Sequence, residues 1–278
     1  MKTILITGST DGIGEETAKQ LAEKGHRIII HGRNENKAQR VKIELNKINT
    51  SAEHKIAVAD LESQKEVLDM SSRLKKEEEK IDILINNAGI YQNSLEYTEA
   101  QIEKTIAVNY HSHFILTLLL IPLLEKSEDS RIINFSSMMH AQNLDPEKVW
   151  KADNFRGSQA YSDSKLAMIL FAFKLAEKLD DFSVNCLHPG VINTKLLRKG
   201  WGAGGSSVEK GAETPVYLAI SDKIKGESGN YYVNKKKKRA AAAAYDKELQ
   251  NELWDKSLEM IKDQEILNKI PDRFLKSL

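Results

Sequence analysis

The sequence predicts an α/β fold: one doubly wound domain with a mostly parallel, seven-stranded sheet, followed by a C-terminal helical extension. Short aliphatic runs alternate with longer stretches of helical pattern, as they do in βαβ units. The short runs are nearly continuous in Ile, Val and Leu, which is typical of strands buried on both faces. Right-handed crossovers between such strands produce a doubly wound sheet.

The elements follow in order along the chain. The first aliphatic run stops at a glycine, and each later run lies between two helical stretches. The predicted strands are Thr3–Thr7, Arg27–His31, Lys55–Ala59, Asp82–Asn86, Arg131–Ser136, Phe182–Leu187 and Asn230–Val233. The predicted helices are Gly14–Lys24, Glu35–Asn49, Ser63–Glu79, Thr98–Lys126 (as two helices), Ser158–Leu179 and Ser207–Ala219.

The chain is predicted to form one domain over residues 1–233, because no Pro-, Gly- or Ser-rich linker divides its first 190 residues. Residues 234–278 form the extension. It begins with five consecutive basic residues, Lys235–Arg239, which we expect in a solvated loop. Five alanines and an amphipathic pattern through Leu249 and Leu253 then predict a helix packed on the domain.

The composition predicts a soluble globular protein. The 278 residues are 41% hydrophobic and 29% charged, which excludes a disordered or fibrous chain. The net charge is only +1, so no overall field favours nucleic acid as a partner. The single cysteine, Cys186, excludes an intramolecular disulfide and fits a reducing, cytoplasmic location.

Two segments bear on membranes and secretion. The N-terminus has only a short apolar stretch before Gly8, too little for a signal peptide. The longest apolar run, Phe114–Leu124, is interrupted by Thr117 and Pro122 and is shorter than the about 18 residues of a membrane span. We therefore predict a buried helix there and no transmembrane segment.

A glycine-rich segment, Thr7-Gly8-Ser9-Thr10-Asp11-Gly12-Ile13-Gly14, follows the first strand and leads into a helix. Its three glycines allow a tight turn and a close approach of backbone to phosphate, and a helix N-terminus favours negative charge. The spacing differs from the common Gly-x-Gly-x-x-Gly motif, and glycines also serve ordinary turns. Its position between strand and helix favours a dinucleotide-binding loop.

The ordered motifs resemble the short-chain dehydrogenase/reductase family, whose phosphate loop reads Thr-Gly-x-x-x-Gly-x-Gly. The resemblance spans roughly residues 2–232 and implies a Rossmann-type domain. The further matching positions are Asp60, Asn86-Asn87-Ala88-Gly89, Asn109, Ser136-Ser137, Tyr161-x-x-x-Lys165, Pro189-Gly190 and Thr194. Ser-Ser-x-x-His before a long insertion and His-Pro-Gly-Val after strand six resemble the retinol dehydrogenase-type branch.

Tyr161 and Lys165 are the predicted centre of the chemistry. Four residues apart on a helix, they share one face. A free tyrosine has a pKa of about 10, and a neighbouring ammonium and an oxidised nicotinamide ring would lower it. Tyr161 is then an acid/base for the carbonyl/alcohol pair. The same spacing recurs at Tyr231/Lys235 and Tyr232/Lys236. Both tyrosines lie in a predicted strand, where a spacing of four residues does not place two side chains on one helical face.

The resemblance implies two further catalytic residues. Ser137 would hold the substrate oxygen, and Asn109 would support a proton relay through Lys165. Ser136 is an alternative to Ser137, because neighbours in a strand point to opposite faces, and the family motif favours the later serine.

The cofactor is predicted to be NADP rather than NAD. Strand two ends in Ile30-His31-Gly32-Arg33-Asn34 without a carboxylate for the ribose hydroxyls, and Arg33 suits a 2′-phosphate. The resemblance implies that Asp60 contacts the adenine, Asn86 the adenosine ribose region and Thr194 the nicotinamide end. The full predicted cofactor set is Gly8, Ser9, Thr10, Asp11, Gly12, Ile13, Gly14, Arg33, Asn34, Asp60, Leu61, Asn87, Ala88, Gly89, Tyr161, Lys165, Pro189, Gly190, Ile192 and Thr194.

The predicted partner is a small-molecule carbonyl or alcohol, lipophilic if the residues between Ser137 and Tyr161 line its pocket. Met138, Met139, Trp150 and Phe155 lie there and serve either the pocket or ordinary loop packing. Gly200–Gly205, which contains Trp201, is predicted to be a lid. The histidines show no metal-ligand spacing. The resemblance implies a homo-oligomer.

A protein that binds the cofactor without catalysis, as a regulator or scaffold, is the alternative function. The set Asn109, Ser137, Tyr161 and Lys165 argues against it, because a cofactor sensor needs only the glycine loop.

Overall fold

Eight short strands form one sheet in the computed structural model, which describes residues 1–151 and 154–275. The strands are β1 (Thr3–Ile6), β2 (Arg27–Gly32), β3 (Lys55–Val58), β4 (Ile83–Asn86), β5 (Arg131–Phe135), β6 (Ser183–His188), β7 (Asn230–Val233) and β8 (Lys236–Lys238). Each predicted strand is present within two residues of its predicted ends.

Within the described residues, ten α-helices connect and cover the strands. They are α1 (Gly12–Glu23), α2 (Glu35–Ile48), α3 (Gln64–Glu77), α4 (Lys104–Ile106), α5 (Ser112–Leu124), α6 (Gly157–Lys178), α7 (Lys195–Trp201), α8 (Val208–Ile220), α9 (Lys247–Glu259) and α10 (Gln264–Lys269). A π-helix, Ala107–His111, joins α4 to α5, so that this region is one continuous helical stretch. A π-helical turn widens the backbone locally, and such turns are frequent at functional sites.

The strand order is β3-β2-β1-β4-β5-β6-β7-β8, and every pairing is parallel except the last. The order in which successive strands are added to the sheet reverses between β1 and β4. These two strands lie side by side, with Ile4 opposite Ile83. In such sheets ligands bind beyond the carboxyl ends of the strands at this reversal. The α/β doubly wound fold predicted from sequence is confirmed.

Apolar side chains fill both faces of the sheet. Helices α1, α2 and α8 cover one face, where Ile4, Ile6 and Ile30 have no exposed surface. Helices α3, α5, α6 and α9 cover the other, where Leu5 and Ile29 are equally buried. Neighbours in one strand point to opposite faces, so burial of both explains why these strands are aliphatic without alternation.

The sheet has eight strands rather than seven, because the basic run contributes β8. A two-residue turn, in which Asn234 and Lys235 have φ of 50° and 63°, reverses the chain after β7. Two central residues with positive φ are the geometry of a tight hairpin turn. The Lys236–Lys238 strand therefore pairs antiparallel with β7 at the sheet edge, where exposed lysines discourage further pairing. We expected a solvated loop there.

By length and composition the helical stretch Lys104–Leu124 could cross a membrane. Of its most apolar part, however, 94% is buried inside the protein. This burial is what a core helix shows. Pro122 lies inside α5 without ending it.

The extension packs on the domain through α9, which lies against α6. Trp254 of α9 is 2% exposed, and its ring centroid lies 5.1 Å from that of Phe114 and 6.0 Å from that of Phe171. Its indole N–H donates to the carbonyl of Phe274 at 3.0 Å, which secures the following segment. The last three residues of the predicted extension, 276–278, lie outside the described residues.

Candidate active site

The glycine loop joins β1 to α1 at the carboxyl edge of the sheet. Gly8 and Gly12 have φ of 65° and 57°, a left-handed conformation that side chains disfavour. A Cβ on Gly14 would lie 2.4 Å from both the Asn87 side-chain nitrogen and the Gly8 carbonyl oxygen. The loop therefore requires glycine at these positions, and it leaves the start of α1 open toward the cleft.

Hydrogen bonds from β4 and from the helical stretch after it hold the loop. The Thr7 hydroxyl accepts from the backbone N–H groups of Asn87 (2.9 Å) and Ala88 (3.0 Å) and lies 3.0 Å from Nε2 of His113. Nδ1 of His113 lies 3.2 Å from the carbonyl oxygen of Asn109, so it carries the proton, and Nε2 accepts from Thr7. Burial lowers the pKa of His113 to about 3, which keeps the ring neutral.

The N-terminus of α1 faces the cleft with its backbone N–H groups, an arrangement that favours an anion. Asp11 precedes the helix, and Lys195 of α7 forms an ion pair with its carboxylate. Burial raises the pKa of this carboxyl, but the hydrogen bond and charge of Lys195 outweigh burial and lower it overall. Lys195 thus offsets the negative charge of Asp11 at the start of α1.

Arg33 follows β2 at the far end of the cleft. Its guanidinium is 68% exposed, and one nitrogen lies 3.6 Å from a carboxylate oxygen of Asp60 and 3.6 Å from one of Glu62. His31 lies next to this end, and its Nδ1 accepts from the backbone N–H of Gly8 at 3.0 Å. Burial lowers the pKa of His31 to about 4, so the ring stays neutral and holds the loop.

One cavity of about 560 Å³ runs from the glycine loop to the end of β5. Most of the predicted cofactor residues line it: Gly8, Thr10, Asp11, Gly12, Ile13, Gly14, Arg33, Asp60, Leu61, Asn87, Ala88, Gly89, Tyr161, Lys165, Pro189, Gly190, Ile192 and Thr194. A dinucleotide fits this set of residues. The glycines allow the backbone to approach a pyrophosphate, the helix N-terminus favours its negative charge, and the arginine lies where a 2′-phosphate would be.

Two residues of the predicted cofactor set do not line the cavity, and we correct both. The Ser9 hydroxyl donates to the carbonyl of Ile6 at 2.9 Å and accepts from the N–H of His31 at 3.0 Å, so it is used inside the protein. The Asn34 side chain accepts from the N–H of Lys37 at 2.9 Å and caps α2. Ser and Asn side chains at loops and helix ends commonly form hydrogen bonds with nearby backbone groups in this way.

Tyr161 lies on the first turns of α6 and lines the cavity together with Ser137, whose hydroxyl opposes the effect of burial on the pKa of the phenol. The neighbouring Ser136 hydroxyl instead donates to the carbonyl of Lys165 at 2.7 Å and is 3% exposed. The structure therefore brings Ser137, and not Ser136, to the phenol.

Lys165 lies one helical turn after Tyr161 and is 4% exposed. Its ammonium donates to the carbonyl of Phe135 at 3.2 Å and lies 5.5 Å from the centroid of the Tyr161 ring. Burial lowers the pKa of Lys165 to about 8. An ammonium has three N–H donors, so this lysine can serve hydroxyl groups in the cavity as well as the Phe135 carbonyl.

The direction of the Tyr161 pKa differs from our expectation. Burial raises the pKa of Tyr161 to about 12, and the Ser137 hydroxyl only partly opposes this effect. We expected the ammonium of Lys165 to lower it. Desolvation of the phenolate dominates because the ring is 7% exposed and enclosed by other rings. The phenol is consequently protonated near neutral pH.

Asn109 lies in the π-helix and is 1% exposed. Its side chain accepts from the N–H of Ile90 at 2.7 Å, donates to the carbonyl of Ile90 at 3.0 Å, and donates to the Ser164 hydroxyl at 3.1 Å. It does not line the cavity. Asn109 therefore links Ile90, in the loop after β4, to Ser164, the residue that precedes Lys165. It is thus placed to hold the segments around this lysine.

An aromatic cluster lies at the end of the cavity: Tyr161 and Trp201 line the cavity, and Tyr91 packs against both rings. The centroid of the Trp201 ring lies 4.9 Å from that of Tyr91 and 5.2 Å from that of Tyr161. Trp201 ends α7, a short helix with no buried residue, and Gly202 after it has a φ of 86°. The exposed apolar residues Met138 and Met139 also line the cavity.

Sequence reasoning missed Tyr91, His31 and Glu62 as parts of the site. None belongs to a recognisable spacing: His31 in β2 and Glu62 after β3 line the cavity, and Tyr91 after β4 packs against Tyr161. The one signal available for His31 was its place at the end of a strand, beside the point where the loops converge.

Comparisons with known proteins show the family of this chain. A family model described as short chain dehydrogenase matches residues 2–201. Human retinol dehydrogenase 13 is 35% identical over 94% of this chain and 84% of its own length. Human polyprenol dehydrogenase is 31% identical over 93% of this chain and 84% of its own.

A solved structure shares the fold. Salutaridine reductase from Papaver somniferum superposes with a TM-score of 0.69 at 24% identity, over 84% of this chain and 99% of that one. Because the family model covers well over half of the sequence and both curated relatives align along most of it, the chain belongs to the short-chain dehydrogenase/reductase family.

Proposed function

We propose that this oxidoreductase uses NADP(H) to interconvert the carbonyl and alcohol forms of a small lipophilic substrate, with Tyr161 as its acid/base. The observation that carries the proposal is that Tyr161, Ser137 and Lys165 together line the cavity that starts at the glycine loop. A buried phenol beside a buried ammonium suits proton transfer, whereas a protein that only binds the cofactor does not require this pair.

Nicotinamide, when bound, gives or takes the hydride at the substrate carbon. In the reducing direction the Tyr161 hydroxyl gives its proton to the carbonyl oxygen, and in oxidation the phenolate takes the proton of the alcohol. Ser137 donates a hydrogen bond to the same oxygen. Lys165 stabilises the phenolate form through its positive charge, 5.5 Å from the ring centroid.

The remaining proposed roles concern binding. The glycine loop and the start of α1 would hold the pyrophosphate, and Asp60 and Leu61 the adenine end, with Lys165 and Thr194 toward the nicotinamide. Arg33 supports NADP over NAD because it lies in the cavity wall, mostly exposed, where β2 ends without a carboxylate.

A lipophilic substrate is supported by the residues around the cavity mouth. Met138, Met139, Val191 and Trp201 are 60%, 45%, 49% and 40% exposed, and all four line the cavity. Contiguous exposed apolar residues at a cavity mark a binding site more often than a chance feature of the surface. Retinol dehydrogenase 13 and polyprenol dehydrogenase carry apolar substrates in their names, which agrees with this part of the proposal.

Self-association is a separate part of the proposal. Family resemblance implies a homo-oligomer, and α9 covers the face of α6 that carries Phe171. We therefore propose that a homo-oligomer would form through another face. Analytical ultracentrifugation measures the state directly, and a monomer at micromolar concentration contradicts this part alone.

The proposed function is tested by turnover. Purified protein is assayed with a panel of aldehydes and ketones, short and long, with NADPH and with NADH in parallel. We expect oxidation of NADPH by at least one apolar carbonyl compound, and loss of that turnover in Tyr161→Phe, which keeps the ring but removes the proton.

The same assay separates the enzyme from a silent binding protein. Tyr161→Phe should still bind NADPH, measured by the fluorescence of the reduced nicotinamide. NADPH binding without turnover across the carbonyl panel and across alcohols with NADP would support the scaffold alternative. Turnover unchanged in Tyr161→Phe would refute the role of Tyr161.

A further inference from the structure

His140 lies three residues after Ser137 and is hydrogen-bonded at both ring nitrogens. Nδ1 is 2.6 Å from the carbonyl oxygen of Ser137, and Nε2 accepts from the backbone N–H of Ala241 at 3.0 Å. A carbonyl oxygen only accepts and a backbone N–H only donates. Both bonds therefore form together only when the imidazole is neutral and carries its hydrogen on Nδ1.

The ring is fixed from a third side by Tyr231 of β7. The two ring centroids are 5.5 Å apart at an angle of 72°, an edge-to-face contact, and Tyr231 is 3% exposed. Edge-to-face contacts favour one orientation of the two rings in addition to burying their apolar surface. His140 thus joins three segments that are distant in sequence: the end of β5, strand β7 and Ala241, three residues after the end of β8.

Ser137 depends on this arrangement because it lies beyond the sheet. β5 ends at Phe135, and the ladder bond next to the site runs from the N–H of Ser136 to the carbonyl of Leu187 at 2.8 Å. The Ser137 carbonyl is held by the His140 ring and by the His140 backbone N–H at 3.2 Å. The Ser137 hydroxyl accepts from the Met139 N–H at 3.1 Å, within the same turn.

We propose that His140 is a positioning residue for the reaction: it fixes the turn that presents the Ser137 hydroxyl to Tyr161 and anchors that turn to the extension at Ala241. The inference rests on the proposed function, in which Ser137 holds the substrate oxygen. It adds a role for the extension, since residue 241 lies outside the predicted catalytic domain. A displacement of about 1 Å at a reacting group can lower a rate about 100-fold, so a loosened turn would show in kcat.

Two conservative variants separate the two bonds. His140→Asn places an amide N–H near the position of Nδ1 and keeps the bond to the Ser137 carbonyl, whereas His140→Gln places an amide oxygen near Nε2 and keeps the bond to Ala241. We expect His140→Ala and His140→Gln to lower kcat about 10- to 100-fold. His140→Asn should recover about tenfold of that loss, and the Kd for NADPH should change less than twofold in all three.

A matched control is His54→Ala. His54 has no exposed surface and its Nδ1 accepts from the N–H of Ile28 at 3.1 Å, at the opposite edge of the sheet. It should lower Tm without lowering kcat below half of wild type. A kcat of His140→Ala within twofold of wild type, or equal losses in the Asn and Gln variants, would overturn the inference.

Hydrogen exchange keeps this inference separate from the proposed function. In His140→Ala the peptides covering 136–141 and 238–245 should exchange faster than in wild type and in His54→Ala, whatever the substrate. If wild type shows no turnover, the proposed function fails, and unchanged exchange in 136–141 would independently overturn the role of His140.

Discussion

Replacing Arg33 by alanine should weaken the binding of NADPH and leave that of NADH unchanged. The two cofactors differ by the 2′-phosphate, and Arg33 is the basic side chain at the end of β2 that lines the cavity. A charge-assisted hydrogen bond contributes about 1.5 to 3 kcal/mol. Arg33 is 68% exposed, so the lower part of this range applies.

The ion pairs that Arg33 already makes reduce the net effect only slightly. Its guanidinium lies 3.6 Å from carboxylate oxygens of Asp60 and Glu62, and exposed pairs of this kind contribute about 0 to 1 kcal/mol. The net contribution to NADPH binding is then about 1.5 to 2 kcal/mol. At about 1.4 kcal/mol for each tenfold, the Kd for NADPH should rise about 10- to 30-fold.

The measurement is a fluorescence titration of both reduced cofactors at two salt concentrations. Higher salt should narrow the difference between wild type and Arg33→Ala, because the interaction is ionic and exposed. Arg273→Ala is the matched control, since this exposed arginine pairs with Glu125 away from the cavity. An equal loss of affinity for NADH and NADPH, or no loss for either, would refute the reasoning.

Three further predictions concern the loop, the lysine and the cavity mouth. Gly14→Ala should abolish tight cofactor binding and lower stability by about 1 to 3 kcal/mol, because its Cβ would lie 2.4 Å from the Asn87 side chain; wild-type binding in a calorimetric titration would contradict this. Turnover should fall as pH rises through about 8, the lowered pKa of Lys165, because the ammonium loses its charge above that value while acid leaves it protonated; a pH–rate profile flat from 7 to 9 would argue against this role. Trp201→Ala should raise KM for long apolar carbonyl compounds about 10-fold and change that for short ones less than threefold, since the indole forms one apolar wall beside Tyr161; equal changes for both classes would rule out a substrate contact.

Much of the fold was predictable because it is encoded in neighbours along the chain. Aliphatic runs such as Ile28–Ile30 are buried on both faces, and this leaves a pattern that can be recognised without coordinates. The glycine loop was likewise predictable, since positive φ at Gly8 and Gly12 is a local requirement. The basic run was not, because the hairpin turn at Asn234 and Lys235 contains no glycine and the strand it starts consists of lysines.

The pKa of Tyr161 shows the limit of reasoning from spacing. Four residues place Lys165 on the same helical face, and this correctly brings the two side chains together. Spacing carries no information on how much water remains around the phenol. Burial among Tyr91 and Trp201 determines the direction of the pKa shift, and those two residues come from the segment after β4 and from the end of α7.

The sequence by itself determined the class of fold, the place of the phosphate loop and the order of the reactive residues, because each follows from local period or local motif. Only the tertiary structure decided which serine faces Tyr161 and that His140 meets Ala241. The contact between His140 and Ala241 joins residues 101 positions apart, so it depends on how the intervening elements pack, and no short stretch of sequence contains that information.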